Sequence, residues 1–386
     1  MNHHFPLPEG GELLLHRYPK TARHGLQAWE AADEYIINEL TTQEWDHSAP
    51  LLIINDAFGA LTLALHQYQP YSLTDSRVAE LALATNAHDN KIEQSWQLLS
   101  SLSPWPNTEP APGLVLLKLP KTKALLEYQL AFLSQIIGPQ TQVIAAAKAK
   151  EIHTSTLALF ERYLGPTHTS LAWKKARLIF SKRDPQLPAS PLPEPLAWPL
   201  PKSDFTIYNH ASVFSRSNLD IGARFLLEHL PSKQSGTMVD LGCGNGVLGL
   251  MALAQNPQAH VTFVDESYMA IASAELNVHT NLPQALLPEH QPRAQFLVNN
   301  CLDGIASDSI NWVICNPPFH QQHAITDHVA WQMLVDAKRV LATGGQLLLV
   351  ANRHLDYHHK LMRLFGNQQL VASNHKFVIL NATQTS

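Results

Sequence analysis

Seven prolines fall between Pro185 and Pro201, and neither a helix nor a central strand can run through so many fixed φ angles and missing N–H donors. The segment therefore divides the chain. At 386 residues it already exceeds the size at which one hydrophobic core usually stops growing. The expected plan is a first domain over residues 1–184, a semi-rigid extended linker over 185–201 and a second domain over 202–386. A composition of 45% hydrophobic and 15% charged residues supports two buried cores. No uninterrupted apolar run approaches the roughly 18 residues of a membrane span. The start, Met1 to Pro6, lacks the basic and apolar regions of a secretory signal. Cys243, Cys301 and Cys315 are odd in number and carry no metal-ligand spacing, which fits a reducing compartment. These features together predict a cytoplasmic protein without a membrane segment.

The second half alternates short β-branched runs with helical stretches, the pattern of a mostly parallel sheet covered by helices on both faces. Strands are expected at Met238-Val239, Val261 to Val264, Phe296 to Val298, Trp312 to Cys315 and Leu347 to Val350, with Phe377 to Leu380 completing the sheet. Val247, Leu250, Met251 and Ala254 fall at i, i+3, i+4 and i+7 and predict one helix face packed on that sheet. A further helix is expected from about Thr326 to Leu341, stopped by Gly344-Gly345. The first half repeats this plan faintly. Leu51 to Asn55 leads through Asp56-Ala-Phe-Gly59 into the helical run Ala60 to Leu65, Tyr71-Ser-Leu ends at Asp75, and Leu114 to Leu117 runs into Lys118-Leu-Pro120-Lys121. The expectation is an α/β protein of two tandem Rossmann-like domains, the first a duplicate that has lost its glycines.

A net charge of −5 excludes a uniformly cationic nucleic-acid coat but not a local patch. Between Lys148 and Arg183 stand Lys148, Lys150, Arg162, Lys174, Lys175, Arg177, Lys182 and Arg183, against only Glu151 and Glu161. Such a run is either a solvated basic face or a phosphate-binding one.

Val239-Asp-Leu-Gly-Cys-Gly-Asn-Gly246 follows a predicted strand and opens a predicted helix, the setting in which a glycine loop can hold a cofactor. Gly242, Gly244 and Gly246 permit a tight turn and close backbone approach, and Asp240 stands two residues ahead of the first. The spacing is neither that of a dinucleotide site nor that of a phosphate loop with its Gly-Lys-Ser/Thr. It favours S-adenosylmethionine, which has no phosphate to cradle. Asp265 ends the next strand, 19 residues beyond Gly246, where an acid accepts hydrogen bonds from a ribose diol. Asn300, at the end of the third strand, is placed either to meet the adenine or simply to turn the chain. Phe214-Ser-Arg216 and Leu219-Asp220-Ile-Gly222 precede the loop, as a lid over the cofactor or as a packing helix.

Asn316-Pro-Pro-Phe319 ends the fourth strand, beside the switch point where open parallel sheets bind ligands. The prolines fix the backbone, so the carbonyl of Pro317 and the side-chain oxygen of Asn316 can both accept from one amino group. Phe319 offers a flat surface for a base lifted from its stack. No H-E-x-x-H or Cys/His framework accompanies His320, His323, His354, His358 and His359, so no metal is expected.

Asp240 to Gly246, Phe263-Val-Asp265, Asn316 to His323, Val213 to Arg216 and Leu219 to Gly222 together resemble the bacterial ribosomal RNA guanine-N2 methyltransferases. Leu26 to Tyr35, Asn55 to Leu61 and Ile152 to Thr156 resemble the large-subunit branch of that family in particular. The resemblance implies two tandem methyltransferase-like domains, the first without cofactor and used for RNA. It further implies S-adenosylmethionine-dependent methylation of guanine 1835 of 23S rRNA at N2. Asn316, Pro317 and Phe319 would orient the base; Asp240, the three glycines, Asp265 and Asn300 would hold the cofactor. Lys148, Lys150, Lys174, Lys175, Arg177, Lys182 and Arg183 become candidates for phosphate contact. Rival readings are a 16S rRNA guanine-N2 enzyme, a protein-glutamine methyltransferase, and a non-catalytic RNA-binding or assembly protein.

Overall fold

The computed structural model describes residues 3–20, 26–287, 292–318 and 324–385. The chain forms two compact units, Met1–Glu194 and Pro195–Ser386. In the first, strands β1 (Leu51–Ile54), β2 (Tyr71–Thr74), β3 (Gln97–Ser100), β4 (Leu114–Lys118), β5 (Gln142–Lys148), β6 (Thr167–Thr169) and β7 (Ala176–Lys182) stand in the order β3-β2-β1-β4-β5-β7-β6. In the second, β8 (Ser235–Leu241), β9 (Gln258–Asp265), β10 (Ala294–Val298), β11 (Ile310–Cys315), β12 (Leu341–Asn352), β13 (Gln369–Ser373) and β14 (Phe377–Thr383) stand in the order β10-β9-β8-β11-β12-β14-β13. The two topologies are identical. In each, five strands pair in parallel and the last strand in sequence runs antiparallel between its neighbours.

Helices on both faces explain why the strands are apolar without alternation: Leu51–Ile54 is buried along its whole length, as a doubly covered parallel strand must be. In the second unit the side chains still divide by face. Met238, Phe263, Ile314 and Leu348 enter one core, while Val239, Val264, Val313 and Leu349 enter the other.

The duplication extends to individual hydrogen bonds. Each unit begins with a two-stranded ribbon, His4–Pro6 with Glu12–Leu14 and Leu196–Pro199 with Thr206–Asn209. In each, two asparagines four residues apart on one helix clamp the ribbon's backbone. Asn86 of the helix Arg77–Asp89 and Asn90, which caps its C-terminus, bond both the N–H and C=O of His16 and Leu14 respectively. Asn277 and Asn281 of the helix Tyr268–Asn281 do the same to Tyr208 and Thr206. A side-chain amide carries one acceptor and two donors, so each completes a backbone pair that the ribbon's outer edge would otherwise leave open.

Three local expectations change. Leu196–Pro199, inside the proline-rich segment, is a strand of the second ribbon; an edge position tolerates proline. The glycines Gly344-Gly345 do not stop the preceding helix, which ends at Val340 and passes directly into β12. They lie in a bulge where Ile310 pairs with Leu341 but Trp312 with Gln346. The buried face of the helix Val247–Gln255 includes Leu248, Ala252 and Leu253, while Met251 and Ala254 are only partly covered. That helix touches core on more sides than an amphipathic stripe allows.

Candidate active site

Registered pairing levels the carboxyl ends of the central strands, since Leu241 pairs with both Val264 and Cys315. Asp240, the glycine loop, Asp265 and Asn316 therefore meet at one edge of the sheet, where open α/β folds bind ligands. The loop is tied down by the N–H groups of Gly242 and Cys243, which both donate to the Val264 carbonyl (2.8 and 3.0 Å). Asp265 holds it from the side. One carboxylate oxygen accepts from the Gly244 N–H (2.9 Å) and the other from the Ser267 N–H (3.0 Å). Asp265 thus shapes the loop directly.

Asp240 is fully buried. Its Oδ2 accepts from the Gly249 N–H (2.8 Å), while Oδ1 is enclosed with no partner among the described residues. Burial pushes its carboxyl up to about 7, and the nearby Asp265 adds to the rise. Burial also raises the thiols of Cys243 and Cys315, so both stay neutral. The folded chain thus keeps on Asp240 a proton that the unfolded chain loses near pH 4. Stability from this group is therefore greatest at low pH and declines as pH rises from about 4 to about 7. Asp240→Asn is expected to remove that decline. Urea titrations of both proteins from pH 5 to 8 should show the variant gaining relative to the parent by a few kcal/mol at most; a pH-independent difference would count against it.

A buried oxygen lacking a donor is costly in isolation, and the space a Cβ at Gly244 would enter is open to 4 Å. An enclosed carboxyl oxygen without a described partner and open space at the Gly244 backbone suit a ligand carrying cationic or N–H groups, as S-adenosylmethionine does. Asn300 is buried, and its amide donates to Asp303 (2.9 Å).

At the turn after β11, the Asn316 amide donates to Asp220 Oδ2 (3.1 Å), while its own Oδ1 is enclosed with no partner among the described residues. Pro317 is buried. Phe319, His320 and His323 lie outside the described residues. His359 pairs with Asp356 and His358 with Gln368, and among the described residues no three potential ligands converge on a metal position. Among them, too, no helix is long and apolar enough to cross a membrane.

Sequence reasoning did not connect Asp220 to Asn316. They are 96 residues apart, and the only local signal was an acid ahead of a helix.

The first unit shows the same frame with other residues. The Asn55 N–H donates to Leu73 as Gly242 does to Val264, which aligns Ile53 with Asp240, Ala57 with Gly244, Thr74 with Asp265 and Lys118 with Asn316. Lys118 is held by Asp33 (2.6 Å) and Glu30 (3.8 Å). Its ammonium thus stands at the position of the Asn316 amide, and Asp240 and Asp265 have no acidic counterpart.

The basic stretch does not form one free face. Lys148 pairs with Glu30 and Lys174 with Glu34. Lys174 also lies over Trp173, and Arg183 donates to the Asp184 and Leu187 carbonyls. Lys150, Lys175 and Lys182 are exposed and Arg177 is half-buried.

Residues 4–185 match the family described as RLMG N-terminal domain, and residues 204–381 match Methyltransferase small domain. The chain is 55% identical to ribosomal RNA large subunit methyltransferase G of Aeromonas hydrophila subsp. hydrophila, over 96% of each chain. It is 52% identical to the protein of that name from Yersinia pestis, over 96% of this chain and 92% of the other. A solved structure titled T. thermophilus 16S rRNA N2 G1207 methyltransferase (RsmC) in complex with AdoMet and guanosine superposes with a TM-score of 0.75. It covers 99% of this chain and 98% of its own at 21% identity, a likeness of fold.

Proposed function

Because the chain belongs to the ribosomal RNA large subunit methyltransferase G family, we propose that it methylates a guanine of 23S rRNA at the exocyclic N2, the family position being 1835. The work would be done in the cytoplasm by residues 202–386, with residues 1–184 recognising RNA. The observation that carries this reading is the enclosed Oδ1 of Asn316, without a partner among the described residues, at the sheet edge shared with the glycine loop.

When bound, S-adenosylmethionine supplies an electrophilic sulfonium methyl. Asp240, Gly242, Gly244, Gly246, Asp265 and Asn300 would hold it. An exocyclic guanine amine is a poor nucleophile because its lone pair is delocalised into the ring. Asn316 Oδ1 and the Pro317 carbonyl would accept its two hydrogens, favour a pyramidal nitrogen and aim the lone pair along the line of displacement. Phe319 would support the flipped base. The nitrogen becomes acidic only as its new bond forms, so no strong base is required and the proton can leave late to water.

Methyl-labelled cofactor offered to 23S rRNA, 16S rRNA and ribosomal protein is expected to mark the 23S rRNA. Label confined to 16S rRNA or protein would favour a rival enzyme, and no label anywhere would favour an assembly role. For phosphate contact, the exposed Lys150, Lys175 and Lys182 are better placed than the ion-paired Lys148 and Lys174, with Arg177 and Arg183 secondary. Lys175→Ala with Lys182→Ala is expected to weaken RNA binding and flatten its log–log salt dependence by roughly one to two. An unchanged slope would return these lysines to a solvated face.

A further inference from the structure

We infer that Asp220 is a positioning residue for transfer, fixing which way the Asn316 amide faces; this rests on the reading of Asn316 given above. A side-chain amide has two faces of nearly equal shape and opposite hydrogen-bonding character. Turned one way, Asn316 presents an acceptor to an incoming amine. Turned the other way, it presents NH2 to NH2, and the amine is repelled. The turn's prolines fix the backbone but leave that choice open, so another group must make it.

Asp220 can. Its Oδ2 accepts from the Asn316 amide at 3.1 Å, and an ionised carboxylate accepts only. The NH2 must therefore face Asp220, which leaves Oδ1 enclosed on the other side, where it has no partner among the described residues. Asp220 is itself immobilised, because the same oxygen caps the helix Ile221–Leu227 by accepting from the Ala223 N–H at 2.9 Å. One carboxylate thus couples the start of a helix to the turn after β11.

The first unit supplies a natural contrast. There the residue capping the corresponding helix, Ala31–Leu40, is Glu30, and Glu30 Oε2 faces Lys118 at 3.8 Å, the residue aligned with Asn316. The acid-to-turn approach persists, but with an ammonium in place of the amide it neutralises a cation and presents no acceptor.

The two duties of Asp220 can be separated. In Asp220→Ser the hydroxyl still caps the helix but is too short to hold the amide; in Asp220→Asn the length is kept and the obligate acceptor is lost. Under single-turnover conditions, Asp220→Ser is expected to lower the transfer rate about 10- to 100-fold, with melting temperature, cofactor affinity and RNA affinity unchanged. Asp220→Asn should lose less. Because the residue acts through Asn316, adding Asp220→Ser to Asn316→Ser should change the rate less than about twofold. A full additive loss in the double variant would make Asp220 merely structural, and full activity in Asp220→Ser would remove it from the reaction; either overturns the inference while leaving the function standing. Full activity in Asn316→Ser alone would instead overturn the reading of Asn316 and this inference with it.

Discussion

Asn316→Ala is expected to lower the rate of methyl transfer by about 10²- to 10³-fold, the usual cost of deleting one preorganised polar group from a reacting centre, while RNA and cofactor binding stay near their parent values. The side chain is small and lies one residue past β11, so its removal takes away the enclosed oxygen without disturbing strand pairing. The loss should appear in the transfer step under single-turnover conditions. Two binding titrations, one for RNA and one for S-adenosylmethionine, complete the measurement. A variant that transfers at the parent rate would show that this turn does not hold the amine. A variant that loses binding along with transfer would show that Asn316 maintains the site's shape.

What could be read from the chain beforehand follows from the range of each interaction. The glycine loop, Asp265 and the Asn-Pro-Pro turn are short motifs set against β-branched runs, and local pattern carries them. The faint duplication was legible through Gly59 and the run into Lys118. The hydrogen bonds that make it detailed join residues about 70 apart, such as Asn86 with His16 and Asn277 with Tyr208, where no periodicity reaches. The ion pairs within the basic stretch were hidden for the same reason. Counted along the chain it is a patch, yet Lys174 is neutralised by Glu34, 140 residues away. Gly344-Gly345 misled differently, because two glycines suit a helix stop and a strand bulge equally well.

The loop glycines give the other large effect, and the first unit already indicates how they divide. A Cβ on Gly246 would lie 2.6 Å from Ala274 Cβ and 3.0 Å from its Cα, at φ +74°. Backbone cannot yield as a side chain can, so Gly246→Ala combines overpacking with a strained φ and is expected to cost about 2–5 kcal/mol of stability. A Cβ on Gly59, its counterpart, would lie 2.6 Å from Leu83 Cδ1, and Gly59 is retained in the unit that has no counterpart of Asp240 or Asp265: this glycine serves packing. Gly244 differs. A Cβ there meets nothing within 4 Å, and its counterpart is Ala57, so the first unit has dispensed with it. Gly244→Ala should therefore cost only about 1–2 kcal/mol, from its φ of +55°, while the added methyl enters the space assigned to the cofactor and weakens S-adenosylmethionine binding by at least about tenfold. Calorimetric titration alongside thermal melting separates the two variants. A Gly244→Ala protein that binds the cofactor at parent affinity would place the ligand elsewhere than over this loop.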